Sequence, residues 1–162
     1  MRGLRAGGGD NILGPVHAVS IPVRFMEIQF PIEFIVPGTP VSLQAARAVT
    51  KEDWKRQVRD ASRSALPQPH FASEGRIAMT IYNLPAEPMR GDLDNIVKLI
   101  VDALSRHIYV DDRQVERIVV QKFDPGMGLE FSPGTEMFAK ALEAERPLVY
   151  VRISDNPFED FE

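Results

Sequence analysis

The chain has 162 residues, of which 44% are hydrophobic and 26% are charged, and it contains no cysteine. This length suits one domain with a sizeable core, and the lack of cysteine excludes disulfides, thiolate metal sites, iron–sulfur clusters and a cysteine nucleophile. The 19 basic and 23 acidic residues give a formal charge of −4, which by itself argues against a strongly basic nucleic-acid-binding protein.

The sequence predicts neither a membrane-spanning segment nor a signal peptide. The sequence contains no run of about 18 apolar residues and so predicts no transmembrane helix, and we expect no membrane association. The N-terminal stretch lacks the uninterrupted apolar run of a signal peptide, and a cytoplasmic location is therefore the expectation.

The chain divides into three parts by pattern. Residues 1–25 hold five glycines within the first 14 positions and show no helix or strand periodicity, which predicts a flexible N-terminal tail. Residues 26–154 are expected to form one folded domain, and residues 155–162 an acidic C-terminal tail.

The domain begins with a predicted strand and a predicted helix. Residues 28–36 are apolar enough for a strand, and Pro31 favours a position at a sheet edge or bulge. A helix is predicted over 51–65, with Thr50 and Asp53 forming a capping box at its start. Its apolar face repeats at positions i, i+4 and i+7, namely Trp54, Val58 and Ala61.

Five further elements, three strands and two helices, are predicted along the rest of the chain. Alternating apolar residues predict strands over 76–84 and 114–123 and a last strand over 147–154. Helical spacing predicts a helix over 94–106 and a short one over 135–145, capped by a threonine. Strands and helices interleave without a strict βαβ repeat, so we expect a single α+β domain in which a mixed sheet packs with two or three helices.

The segment between the second and third strands carries the chemistry. Asp92 and Asp94 flank Leu93, and in an extended chain both carboxylates would point to one side. Asp94 or the following asparagine would then cap the helix. A second acidic pair, Asp111 and Asp112, follows the helix, so the chain must turn there for the two pairs to meet.

Clustered carboxylates are the hard oxygen ligands that Mg²⁺ prefers. Such a metal lowers the pKa of a bound water and stabilises charge on a phosphate. Lys98 lies one helical turn after Asp94 and would place a cation beside the cluster. The residues alone leave a plain reading open, in which the aspartates are caps and Lys98 pairs with Asp102 on an exposed face.

The run DLDNIVKLIVDAL, followed after a short gap by DDRQVERI, resembles the signature of the RusA-type Holliday junction resolvases. The pattern is D-x-D-N-x-x-K-x-x-x-D-A-L and then D-D-x-Q-V. Upstream FIVPGTPVSLQAAR, a helix containing Trp54 and the final PLVYVRI are also similar to that family, so the resemblance covers roughly residues 28–154. The family consists of small dimeric Mg²⁺-dependent endonucleases of bacteria and phages.

The resemblance implies roles for individual residues. Asp92, Asp94 and Asp112 would bind Mg²⁺, for which Mn²⁺ is a potential substitute, and Asp111 would be a neighbouring ligand. Lys98 would be the catalytic lysine. The implied function is resolution of four-way junctions in DNA recombination and repair by a homodimer that hydrolyses phosphodiester bonds.

A basic segment offers a DNA-binding surface despite the negative total charge. The first predicted helix and the chain before it carry a local excess of positive charge. These side chains would contact phosphates, and such contacts position the protein on the DNA without reading the base sequence. The expected DNA contacts on this segment and beside the acidic motif are Arg47, Lys51, Lys55, Arg56, Arg59 and Arg90. A dimer would double this surface and match the two-fold character of a four-way junction.

Two other functions stay open at this point. A non-catalytic DNA-binding relative would bind junctions without cutting them. A metal-dependent phosphohydrolase would act on nucleotides and would need a nucleotide pocket.

Overall fold

The structure is a computed structural model that describes residues 22–44, 47–128 and 132–159. Most of the predicted N-terminal tail and the last three residues of the predicted acidic tail lie outside the described residues. No helix in the described ranges is long and apolar enough to cross a bilayer.

One four-stranded mixed sheet organises the domain, which confirms the α+β expectation. Its strands are β1 (Ile32–Pro37), β2 (Ile77–Leu84), β3 (Val115–Lys122) and β4 (Leu148–Ser154). They lie in the order β1-β4-β2-β3. β4 pairs antiparallel with both β1 and β2, whereas β2 pairs parallel with β3.

Three helices cover the two faces of this sheet. They are α1 (Ala48–Ser62), α2 (Val97–Leu104) and α3 (Glu136–Glu143). α1 and α2 pack together over one face, where their apolar sides join the main core around Trp54 and Ile100. α3 packs on the other face in a smaller aromatic core.

The sequence pattern explains where these elements form. In β1, buried residues alternate with partly exposed ones, as expected for a strand with one face on the core. β4 is almost continuously buried because it lies between two strands and under helices on both faces. Thr135 is the N-cap of α3, and its hydroxyl accepts the N–H of Phe138 at 3.1 Å, so the predicted threonine cap is confirmed.

The starts of two elements differ from prediction. β1 begins at Ile32, after Pro31, because proline lacks the N–H that the hydrogen-bond ladder between strands requires. α1 begins at Ala48, with Arg47 as a cap that makes no side-chain hydrogen bond, so the Thr50–Asp53 capping box is wrong. Thr50 lies inside the first turn of α1.

The single helix predicted over 94–106 is in fact two pieces. A 3₁₀ turn spans Leu93–Ile96, and α2 follows from Val97. Asp92 precedes the 3₁₀ turn with an extended backbone and makes no capping bond. The N-cap position of α2 is Ile96, so neither Asp94 nor Asn95 caps the helix as predicted.

Candidate functional site

The acidic motif forms the connection between the two parallel strands. β2 and β3 are parallel neighbours, so the chain between them must cross the sheet face, and α2 is that crossover. The helix has two turns and is about 12 Å long. Asp92 and Asp94 therefore precede α2, and Asp111 and Asp112 follow it.

The chain folds back along α2 directly after the helix ends. The N–H of Ile108 donates to the carbonyl of Leu104 at 2.9 Å. The buried hydroxyl of Tyr109 donates to the carbonyl of Val101 at 2.6 Å, which holds the returning segment against the helix. This turn brings Asp112 back to the side of α2.

Lys98 joins the two halves of the motif. Its Nζ lies 2.7 Å from Oδ1 of Asp102 and 3.2 Å from Oδ2 of Asp112. The hydrogen bond to Asp102, followed by that to Asp112, raises the pKa of Lys98. The same ammonium holds the pKa of the Asp112 carboxyl below its usual value. At neutral pH the site therefore holds a protonated lysine and an ionised Asp112 in contact.

Asp111 fixes the loop that presents Asp112. Its carboxylate accepts the N–H of Arg113 at 2.9 Å, while its own N–H donates to the side chain of Gln114 at 2.8 Å. This reciprocal capping box defines the start of a short 3₁₀ turn over Asp112–Gln114. The amide of Gln114 also donates to the carbonyls of Ser73 and Gly75, so the turn is tied to the loop before β2.

Asp92 and Asp94 are exposed before α2. The condition for placing both carboxylates on one side, an extended chain through Leu93, is not met, because the backbone enters the 3₁₀ turn at Leu93. The fold-back brings Asp112 to Lys98 but does not form a compact acidic cluster. Within residues 22–44, 47–128 and 132–159, no three histidine, aspartate or glutamate side chains are grouped so that they could hold a metal ion.

The donor chemistry of the site still suits a hard divalent cation. Asp92, Asp94, Asp111 and Asp112 are all exposed carboxylates, which are the ligands that Mg²⁺ accepts alongside water. Mg²⁺ binding by these residues remains a prediction.

The predicted DNA-binding helix lies beside the motif, since α1 packs against α2. Several of its cations are engaged with their neighbours. Lys55 pairs with Glu52 at 2.5 Å and Arg56 with Asp53 at 2.5 Å. The Arg59 Nε donates to the carbonyl of Ala103 at 3.1 Å, which ties α1 to the end of α2.

The remaining predicted contacts lie at the ends of this surface. The Lys51 ammonium donates to the carbonyl of Leu43 in the loop before α1. Arg47 is exposed at the start of α1, and Arg90 is exposed in the loop before Asp92. The positive residues thus surround the motif from two elements, although their pairing with acids reduces the net charge of α1.

A cleft of about 540 Å³ opens beside Asp92 and is not predicted by the sequence pattern. It lies between the chain at 39–44 and the loop at 85–91. Its most buried polar residue is Asn83, at the end of β2, which is 2% exposed. In the sequence this asparagine stands in an alternating strand, where no local signal separates it from an ordinary polar residue.

Comparison with known proteins gives one family. A family model described as Endodeoxyribonuclease RusA matches residues 39–153, well over half of the chain. The match includes the acidic motif, the fold-back, all of β2 and β3, and β4 up to its last residue but one. A search of curated proteins finds no match.

Proposed function

Because the chain belongs to the RusA endodeoxyribonuclease family, and is thus of a nuclease family, we propose that it is a Mg²⁺-dependent enzyme that resolves four-way (Holliday) junctions. The observation that supports this proposal most directly is the contact of Lys98 with both Asp102 and Asp112. It joins two sequence-distant halves of the motif in one exposed, charged site. A purely structural ion pair would not require the fold-back that brings Asp112 there.

The carboxylates supply the metal ligands in this proposal. Asp92, Asp94 and Asp112 would hold Mg²⁺, and Asp111, whose carboxylate already caps the turn, would support Asp112 from the side. When bound, the ion lowers the pKa of a water and offsets the negative charge that develops on the phosphate. Water would attack phosphorus in line as the bond to the leaving deoxyribose oxygen breaks, with the proton of the water passing to solvent and the leaving oxygen taking one up from solvent.

Lys98 acts as a cation in this reaction and not as a base. Its pKa is raised by Asp102 and Asp112, so the ammonium keeps its proton at neutral pH. A protonated amine can donate a hydrogen bond to a phosphate oxygen and stabilise the charge in the transition state. Asp102 positions Lys98 by accepting a hydrogen bond from the other side of the ammonium.

DNA would approach across α1 and the loop before Asp92. Arg47, Lys51, Lys55, Arg56 and Arg59 line the first element, and Arg90 lies on the second. Contacts from these residues would bind backbone phosphates irrespective of sequence. In a homodimer, two such sites would face the two strands that must be cut to resolve a junction.

Cleavage of a labelled four-way junction tests the proposal. With Mg²⁺ the full chain should cut the junction in preference to a linear duplex, chelation should stop the reaction, and Mn²⁺ should restore it. Asp94→Asn should lower the rate by roughly 100-fold or more, because several kcal/mol of transition-state stabilisation are lost. The matched control is Asp155→Asn, which changes an exposed aspartate outside the site and should cut normally.

Three outcomes would contradict parts of the proposal. Equal cutting by wild type and Asp94→Asn would refute the assignment of Asp94 to the catalytic site. Tight junction binding without cutting in either metal would favour the non-catalytic alternative. Turnover of mononucleotides without junction affinity would favour a nucleotide phosphohydrolase.

A further inference from the structure

We propose that Asp124 positions Asp92 for metal binding by anchoring the loop at 85–91, which leads directly into Asp92. This inference rests on the proposed function, because it concerns Asp92 as a ligand of the metal. It adds a positioning residue from outside the acidic motif, in a segment after β3 that no sequence pattern links to the site.

The Asp92 side chain has no contact of its own that fixes where it lies. It is exposed, and within the described residues it makes no hydrogen bond or ion pair. On its C-terminal side, the 3₁₀ turn is tied to the chain before α1, because the N–H of Leu43 donates to the carbonyl of Asn95 at 3.0 Å. On its N-terminal side, the position of Asp92 depends on the loop at 85–91.

Two side chains from other parts of the fold hold the main chain of this loop. The carboxylate of Asp124 accepts the N–H of Met89 at 3.2 Å. Arg146 donates to the carbonyl of Pro85 at 3.4 Å. The loop itself forms no helix or strand, and its two prolines have no N–H to donate. Of the two anchors, Asp124 acts closer to Asp92, because Met89 is three residues before it in the chain.

The parallel pairing of β2 with β3 brings Asp124 to this loop. The pairing continues to Asn83 and Lys122, so the ends of the two strands lie side by side. The N–H of Phe123 then donates to the carbonyl of Asn83 at 2.8 Å. Asp124 therefore leaves β3 at the point where the loop at 85–91 leaves β2. This contact joins segments that are 35 residues apart in sequence.

The acceptor of this hydrogen bond is a charged group. The N–H of Met89 and, more weakly, the ammonium of Lys122 at 3.2 Å hold the pKa of the Asp124 carboxyl below its usual value, against an opposing effect of burial. Asp124 is therefore ionised at neutral pH. A hydrogen bond to a carboxylate is stronger than one to a neutral oxygen, so the anchor is stronger than an ordinary loop contact.

Removal of this anchor should weaken metal binding more than DNA binding. Groups that orient the ligands of a metal commonly change metal affinity or activity by roughly 10–100-fold when they are lost. Without Asp124, the loop at 85–91 would occupy more positions, and Asp92 would meet the ion in fewer of them. Most of the expected phosphate contacts lie on α1, which Asp124 does not touch, so junction affinity without metal should change little.

Amide hydrogen exchange in the ¹⁵N-labelled full chain tests the anchor without any cleavage. Asp124→Ala should speed exchange of the Met89 N–H by at least about fivefold, because its acceptor is removed. Asp124→Asn keeps a side-chain oxygen and should lie between wild type and Asp124→Ala. The control Glu116→Ala breaks the ion pair with Arg76 on the same strand and should leave exchange at Met89 unchanged.

Metal titrations connect the anchor to Asp92. Paramagnetic Mn²⁺ broadens the amide signals near a bound ion, and Asp124→Ala should need roughly tenfold more Mn²⁺ than wild type to broaden Asp92 and Asp94 equally. In junction cleavage, the same variant should need roughly tenfold more Mg²⁺ for its half-maximal rate. Glu116→Ala should match wild type in both titrations. A variant that was only less stable would keep the metal requirement of wild type.

Three results would overturn the proposal. Unchanged exchange at Met89 in Asp124→Ala would mean that the hydrogen bond does not hold the loop in solution. Unchanged Mn²⁺ and Mg²⁺ requirements would mean that the loop does not position Asp92. Equal defects in Asp124→Asn and Asp124→Ala would assign the effect to the lost charge and not to the lost acceptor.

The inference and the proposed function fail in different ways. If wild type cuts junctions and Asp124→Ala has the same metal requirement, the nuclease proposal stands and the role of Asp124 is lost. If Mn²⁺ broadening at Asp92 depends on Asp124 but neither protein cuts DNA, the positioning role stands and the nuclease proposal is lost. If wild type shows neither broadening nor cutting, both are lost.

Discussion

Mild acid should destabilise the corner that carries Asp112, through protonation of His107. The ring Nε2 lies 3.0 Å from the hydroxyl of Ser62, which is fully buried and itself donates to the carbonyl of Arg59 at 2.7 Å. The neutral ring therefore donates to Ser62. This pair ties α1 to the turn between α2 and Asp112.

The pKa of His107 sets the size and sign of the effect. Burial, followed by the positive charges of His70, Arg59 and Arg63, lowers the pKa of His107 from 6.5 to about 4, against a small opposing effect of Asp60. Between these two pH values the unfolded chain binds more protons than the folded one, so stability falls as the pH falls. The full difference corresponds to about 3 kcal/mol. Solvent screening of a half-buried ring reduces this to roughly 1–2 kcal/mol.

Urea unfolding at about pH 7.5 and about pH 5 measures this loss. The matched variant is His107→Gln, which keeps a hydrogen-bond donor for Ser62 and does not titrate in this range. Wild type should lose about 1 kcal/mol more than His107→Gln between the two conditions. If both proteins lose stability in parallel, carboxylates elsewhere account for the pH dependence and the reasoning about His107 is refuted.

Three further outcomes are expected. Lys98→Gln should raise the pKa of Asp112 towards its usual value in a ¹³C NMR titration, because the ammonium that lowers it is removed. The same variant should lower junction cleavage by roughly 100-fold. The control Lys140→Gln breaks another helical ion pair and should change neither quantity. Thr135→Ala should cost about 1 kcal/mol in urea unfolding, because it removes the cap of α3, and an unchanged midpoint would contradict that role. Ile100→Ala should cost about 2–5 kcal/mol, since this side chain is fully buried between α2 and the sheet, and a loss below 1 kcal/mol would contradict that packing.

Local signals were sufficient for the parts of the fold that depend on neighbours in sequence. The apolar residues over 76–84 predict a strand and the helix after Thr135 has its own cap, so both elements are predictable within a few residues. The Lys98–Asp102 pair was also foreseeable from its i, i+4 spacing. The family followed from the motif, which is contiguous in sequence.

Features that depend on tertiary contacts were not predictable. Asp112 reaches Lys98 because Tyr109 is buried against Val101, and no spacing rule reports that contact. The 3₁₀ turn over Leu93–Ile96 ends at the buried Ile96, and no local pattern separates this turn from the helix that follows it. The cleft beside Asp92 likewise follows from the meeting of two loops that are distant in sequence.

The crossover between β2 and β3 has a consequence for how this protein can change in length. Each residue added to α2 would rotate everything after it by about 100° and advance it by 1.5 Å. A single insertion there would separate Lys98 from Asp112, because the two ends of the crossover are fixed by the parallel pairing of β2 with β3. The motif segment should therefore be of nearly fixed length.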